Sequence, residues 1–171
     1  MGDVIEGIPA VFIKLDPLNA KALNELGIIH QQKHDINGAI GYFKQALGVD
    51  PANPVVLNSF GNLFLNLRDY KAARFYYHKA LHSQPDNIHS LEQLGLSYFK
   101  EHNYSSAGYW FRQVEKHQPN TLANLVLLGR CEYYREHYRS AANYLRRAVA
   151  IDSRHDFARA LLLEIEGRVK A

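Results

Sequence analysis

The sequence predicts an all-α solenoid of antiparallel helix-turn-helix repeats closed by a C-terminal capping helix, on three observations. A Leu-Gly or Phe-Gly pair returns every 34 residues, at Leu26 and Gly27, Phe60 and Gly61, Leu94 and Gly95, Leu128 and Gly129. In the same register run an alanine column (Ala39, Ala73, Ala107, Ala141) and a bulky column (Phe43, Tyr77, Phe111, Leu145). Around these columns the apolar residues keep the three-four spacing of a helical face. A period of this length marks one supersecondary unit stacked on copies of itself, so burial is spread along a line rather than gathered in one core.

The elements follow in order. Residues 1–19 read as a partial repeat: Ala10 to Pro17 resembles the end of a second helix whose first-helix partner is absent, with Pro9 limiting its backward reach. Such an edge leaves apolar surface, which predicts either a longer array or self-association. Four units then occupy 20–53, 54–87, 88–121 and 122–155. In the second unit, Leu57, Phe60, Gly61 and Phe64 share one face of a first helix. A polar break, Asn66 to Asp69, leads into Tyr70, Ala73, Tyr77, Ala80 and Leu81 on a second helix. Pro85, in a polar cluster, stops it. Asn19, Asn53, Asn87 and Thr121 recur at the starts of the first helices, where a side-chain oxygen can cap free amides, and Pro54 fits the first helical position. The glycine column predicts a close crossing of the two helices of each hairpin.

Residues 156–171 form the last element. Ala158, Leu162, Ile165 and Val169 are expected on its buried side, with Phe157 and Leu161 exposed for extra contacts. Leu163 falls where the register wants glycine, so this helix is expected to dock differently from a repeat helix.

These columns resemble the tetratricopeptide repeat, whose pattern runs W-x2-L-G-x2-Y, then A-x3-F, then proline. The resemblance covers residues 20 to 155, reading Leu23, Leu26, Gly27, Ala39, Phe43, Ala46, Pro51 in the first unit and Leu91, Leu94, Gly95, Tyr98, Ala107, Phe111, Val114, Pro119 in the third. His30 and Glu132 stand where that family has an aromatic, and Ser153 replaces the closing proline of the fourth unit. The resemblance implies a right-handed superhelix whose first helices line a concave groove that receives a partner peptide.

Composition sets outer limits. No apolar run approaches the ~20 residues of a membrane-spanning helix. The amino terminus shows no basic stretch followed by an apolar segment, and the single Cys131 suits a reducing compartment, so a cytoplasmic location is expected without membrane insertion. Net charge is +3; up to Lys100 nine bases face nine acids, and beyond it eleven face eight, too small an excess to argue for nucleic acid. There is no glycine-rich phosphate loop, Cys-x2-Cys pair, HExxH or nucleophile elbow, so no enzyme, catalytic residue or cofactor is expected. His30 with His34, and His78 with His82, are four apart but lack a third ligand in sequence, and no metal site is assigned to them. The periodic tyrosines read as packing, with Tyr133 the exception. Arg139, Arg146 and Arg147 read as a solvated outer face.

On the sides of the first helices not used for packing, the expected groove residues are Asn24, Ile28 and Gln31; Asn58, Asn62, Leu65 and Asn66; Glu92, Leu96, Phe99 and Lys100; Val126, Arg130 and Tyr133. The asparagines can hold a peptide backbone, Leu96, Phe99, Val126 and Tyr133 make an apolar stretch, and Arg130 with Lys100 can select an acidic side chain or terminal carboxylate. Relatives that clamp chaperone tails use a lysine where this chain has Asn24 and His89, so that specificity is not expected. The leading expectation is a non-enzymatic adaptor for a protein or peptide partner. The alternatives are a structural array associating with itself through its ends, a targeting module of a larger enzyme such as a glycosyltransferase, and a small secretion chaperone.

Overall fold

A computed structural model describes residues 19–170, so the expected partial repeat at 1–19 lies, but for Asn19, outside the described residues. Among them there are nine helices and no strand: α1 (Ala20–Gln32), α2 (Ile36–Val49), α3 (Pro54–Asn66), α4 (Tyr70–Ser83), α5 (Ile88–Lys100), α6 (Tyr104–His117), α7 (Leu122–Tyr134), α8 (Tyr138–Ile151) and α9 (Asp156–Lys170). The chain divides into two compact units, Met1–Asn87 with α1 to α4 and Ile88–Ala171 with α5 to α9. In unit 1 the hairpins α1–α2 and α3–α4 stack, α3 lying against both α1 and α2. In unit 2 the hairpins are α5–α6 and α7–α8, with α7 packed on α6 and α9 on α8.

The same turn builds every hairpin. His34, Arg68, His102 and Glu136 all adopt positive φ, near 61°, which reverses the chain after the first helix. The amide one residue on then reaches back to the final helical turn: Asp35 N donates to His30 O, Asp69 N to Phe64 O, Asn103 N to Tyr98 O and His137 N to Glu132 O, each at 2.9 Å. This is the six-to-one bond of a Schellman stop. In three hairpins the residue that closes the first helix also caps the second, Asp35 accepting from Gly38 N, Asp69 from Ala72 N and Asn103 from Ser106 N. His137 makes no such cap.

The first-helix caps are mixed. Asn19 and Asn53 each accept two first-turn amides. Thr121 makes no side-chain cap bond. There Glu115 fixes the turn instead, its carboxylate accepting from Asn120 N and from Asn124 Nδ2 and pairing with Arg147. Arg146 pairs with Glu166 at 2.8 Å, so these two arginines stitch helices together rather than forming a merely solvated face. Asn53→Ala should cost about 1 kcal/mol through its lost cap, read as a lowered denaturation midpoint with unchanged slope.

The glycine column works as steric clearance. A Cβ placed on Gly27, Gly61 or Gly95 would stand 2.6, 2.5 or 2.5 Å from the ring of Phe43, Tyr77 or Phe111, and each of those rings is fully buried. Only hydrogen lets these aromatics lie flat against the first helix.

The two departures from the aromatic column have a shared explanation. His30 Nδ1 bonds Asp35 Oδ2 at 2.7 Å, and His137 Nδ1 bonds Glu132 Oε2 at 2.8 Å. These are the same two repeat positions with acid and imidazole exchanged. Where the aromatic is missing, a polar pair spans the turn.

The α9 helix buries Ala158, Leu161 and Ile165, and leaves Leu163 66% exposed. In repeat register the buried trio matches Asn124, Leu127 and Cys131, the side a first helix turns to the preceding hairpin. Leu162 and Leu163 match Leu128 and Gly129, the side that would receive a second helix of its own. So α9 uses a repeat helix's inter-hairpin side, a correction to the expectation of different docking. Leu161 is buried rather than exposed, Leu162 is half-buried, Phe157 is 48% exposed as expected, and Val169 lies outside the described side chains.

Candidate functional site

Packing consumes two sides of each first helix, which narrows the expected docking surface. Asn24, Asn58, Leu65 and Val126 are buried and offer a partner no surface. Asn58 Nδ2 donates to Asn87 Oδ1 at 3.3 Å, holding the end of α4's hairpin, and Val126 packs with Ala141, Leu145 and Ile165. Asn62 is half-buried and its Oδ1 accepts from the Tyr77 hydroxyl at 2.8 Å, a tie across the close crossing. Burial pushes that phenol above its ordinary range, so it remains a donor. Ile28, Gln31 and Glu92 are half-buried, and Asn66 and Lys100 are exposed.

Tyr133 is taken by the capping helix. Its hydroxyl donates to Glu164 Oε1 at 2.5 Å, and Arg168 bonds the same carboxylate while lying over the Tyr133 ring. The hydrogen bond to Glu164 raises the phenol's affinity for its proton and, with Arg168, holds Glu164 below the usual carboxylate range. In repeat register the residue matching Asn66 and Lys100 is Tyr134, which is 47% exposed.

Unit 2 gathers the remaining predicted residues. Leu96, Phe99, Lys100 and Arg130 line a cleft of about 360 Å³ together with His102, Tyr104, Leu127 and Tyr134. Tyr104 and Tyr134 stack at 4.5 Å, and Phe99 meets both edge-on. The Arg130 guanidinium carbon lies 4.6 Å from the Phe99 centroid and 5.3 Å from that of Phe157. Three first-helix-type elements, α5, α7 and α9, therefore position one cation. Its Nε is buried without a hydrogen-bond partner. A buried donor left without a partner is costly.

Sequence reasoning missed Tyr104, Tyr134 and Phe157 as neighbours of Arg130. Tyr104 belongs to a periodic column and carries no separate signal, whereas strict extension of the Asn66 and Lys100 spacing would have chosen Tyr134 over Tyr133.

Other chemistry finds little support. Burial, then the neighbouring Glu132, pushes the Cys131 thiol up to about 12, which leaves it protonated and unreactive. Among the described residues no three His, Cys, Asp or Glu side chains are grouped to hold a metal, and no helix is long and apolar enough to cross a membrane.

Sequence profiles match two stretches of the chain, a tetratricopeptide repeat at 20–53 and the anaphase-promoting complex, cyclosome, subunit 3 at 66–148. A comparison with curated proteins gives no match. Among solved structures, one of PilF from Pseudomonas aeruginosa aligns with a TM-score of 0.80 at 19% identity, over 92% of this chain and 72% of that one. MamA aligns at 0.73 and 18%, over 82% of each chain. A chain of the APC/C hetero-tetramer Cut9-Hcn1 aligns at 0.73 and 20%, over 86% of this chain and 30% of its own. At these identities the likeness shows a shared fold. The two profile matches, both of tetratricopeptide type, show that the chain belongs to the tetratricopeptide-repeat family of protein-interaction modules.

Proposed function

We propose that the protein is a non-enzymatic scaffold that docks a peptide segment of a partner on its first-helix surface, with the Arg130 cleft of unit 2 as the anchor. The observation that carries this reading is the Arg130 guanidinium, held by Phe99 and Phe157 at the wall of an aromatic cleft. Aromatic rings attract the cation without satisfying its N–H groups, so the guanidinium is positioned yet open to an acceptor. Lys100 on the rim adds a second positive charge. The chemistry fits an acidic side chain or a terminal carboxylate flanked by an apolar residue, the latter against Leu96 and Leu127. Asn66 and Gln31 are the groove asparagine and glutamine in unit 1 that remain accessible to a peptide backbone. Nothing in this activity requires a cofactor.

The test is capture from source-cell lysate with the wild type and Arg130→Ala, identified by mass spectrometry, after confirming that both melt alike. A protein retained by the wild type and reduced about tenfold or more with Arg130→Ala is the expected result, the loss typical of an interface hot spot. Identical retained sets would remove the Arg130 anchor.

A further inference from the structure

A second surface, on the second helices of unit 1, has a different character. The α4 sequence from Tyr70 to Ser83 contains Lys71, Arg74, His78, Lys79 and His82 and no acidic residue, and α2 contains Lys44 and none either. Four-residue spacing puts Lys71, Phe75 and Lys79 on one stripe. All three are exposed, and Phe75 is 54% exposed, with Lys79 Nζ 4.8 Å from its ring centroid.

Beside this stripe opens a cleft of about 450 Å³, lined by Pro51, Ala52, Leu57, Phe75, Lys79 and Ser83, with His78 and His82 at its edge. Leu57, only 1% exposed, forms its floor. Of the carboxylates nearest in sequence, Asp50 accepts from Ala52 N and Asn53 Nδ2 and Asp69 from Ala72 N, while Asp86 is exposed beyond Ser83. In unit 2, Arg147 at the Lys79 position pairs with Glu115, and Arg112 and Arg146 at the His78 position pair with Glu132 and Glu166. Lys71 and Lys79 of unit 1 face solvent without an acid on their own helix.

We infer that this cleft is a second docking site, separate from the Arg130 anchor, for an acidic protein segment that inserts a bulky apolar side chain between flanking carboxylates. Charge complementarity selects the acidic flanks, because Lys71 and Lys79 stand one helical turn to either side of Phe75 with no acid on α4. The apolar walls select the inserted side chain, since an aromatic beside a formed apolar cleft is the arrangement of an interface hot spot. A nucleic-acid backbone would satisfy the lysines but leave the cleft empty. An anionic bilayer would accept Phe75 yet could not reach the recessed Leu57.

The test is an NMR titration of the ¹⁵N-labelled protein with a helical peptide bearing leucine and phenylalanine on one face and glutamates on the other. A short DNA duplex and phosphatidylserine vesicles are run as parallel probes. The peptide should shift the amides of Ala52, Leu57, Phe75 and Lys79 saturably. Phe75→Ala and Lys79→Glu, both surface changes that spare the fold, should each weaken it about tenfold, while Arg130→Ala leaves it unchanged. No saturable shift at millimolar peptide overturns the proposal. Binding lost with Lys79→Glu but indifferent to Phe75→Ala, or DNA or vesicles binding tighter than the peptide, overturns it too. The unchanged Arg130→Ala control keeps this outcome distinct from that of the first-helix anchor.

Discussion

Gly61→Leu is expected to destabilise the protein by about 2–4 kcal/mol, lowering its melting temperature by roughly 5–10 °C. A Cβ at Gly61 would stand 2.5 Å from Tyr77 Cε1, and Tyr77 is fully buried in the crossing of α3 and α4. A rigid ring cannot fold out of the way as an alkyl chain can. Overpacking of this kind typically costs about 1–3 kcal/mol. Displacing the ring would also break the bond from its hydroxyl to Asn62, worth roughly 1 kcal/mol more. Gly129→Leu should cost less, because its nearest neighbour, Leu145 Cγ, stands at 2.8 Å and is not part of a rigid ring. Gly41→Ala serves as the control, with nothing within 4 Å of its new methyl group, and should gain about 0.5–1 kcal/mol of helix stability. Thermal melts of the three check the ordering, and Gly61→Leu melting with the wild type would contradict the close-crossing account.

Glu132→Ala is expected to cost about 2–3 kcal/mol. Its side chain is 7% exposed and accepts from Arg112, Arg135 and His137 at 3.3, 3.0 and 2.8 Å, joining α6, α7 and the turn into α8. Truncating one partner of a fully buried pair costs about 3–5 kcal/mol, mostly for the charge left behind. Here Arg112 and His137 remain about half in water and can be rehydrated, which sets the expectation below that range. Glu132→Gln keeps the volume and removes the charge, so the gap between Gln and Ala measures the cavity separately. A chemical-denaturation midpoint for Glu132→Ala within error of the wild type would show that Arg112, Arg135 and His137 need no acceptor there.

The crossings were legible because they repeat. Gly27, Gly61 and Gly95 and the rings facing them keep one register, and steric exclusion leaves few other residues at those positions. The hairpin positions follow from the same columns. The surface was harder to read, because a repeat helix packs on two sides, toward its own partner and toward the preceding hairpin, and helical periodicity alone marks only apolar residues as packed. Asn24 and Asn58 are polar, so they read as exposed, yet both are buried. Tyr133 looked accessible until Glu164, more than thirty residues away, was placed against it. Glu132 and His137 form a pair that only the turn geometry explains. Arg130 was legible as a cation on the right side of α7. Its two aromatic supports were not, since Phe99 and Phe157 lie on different helices and meet it only in three dimensions.

The central claim is that Arg130 is a poised receptor for a carboxylate, and its own guanidinium N–H groups report on that. The measurement is an NMR titration of the arginine guanidinium N–H resonances with matched peptides carrying an acidic residue beside an apolar one, ending in a free acid or in an amide. The account predicts that one resonance, absent in Arg130→Lys, moves downfield on adding an acidic peptide and stays still with a peptide lacking any carboxylate. Peptide binding that shifts the backbone amides of α5 and α7 while leaving that resonance unmoved would contradict it.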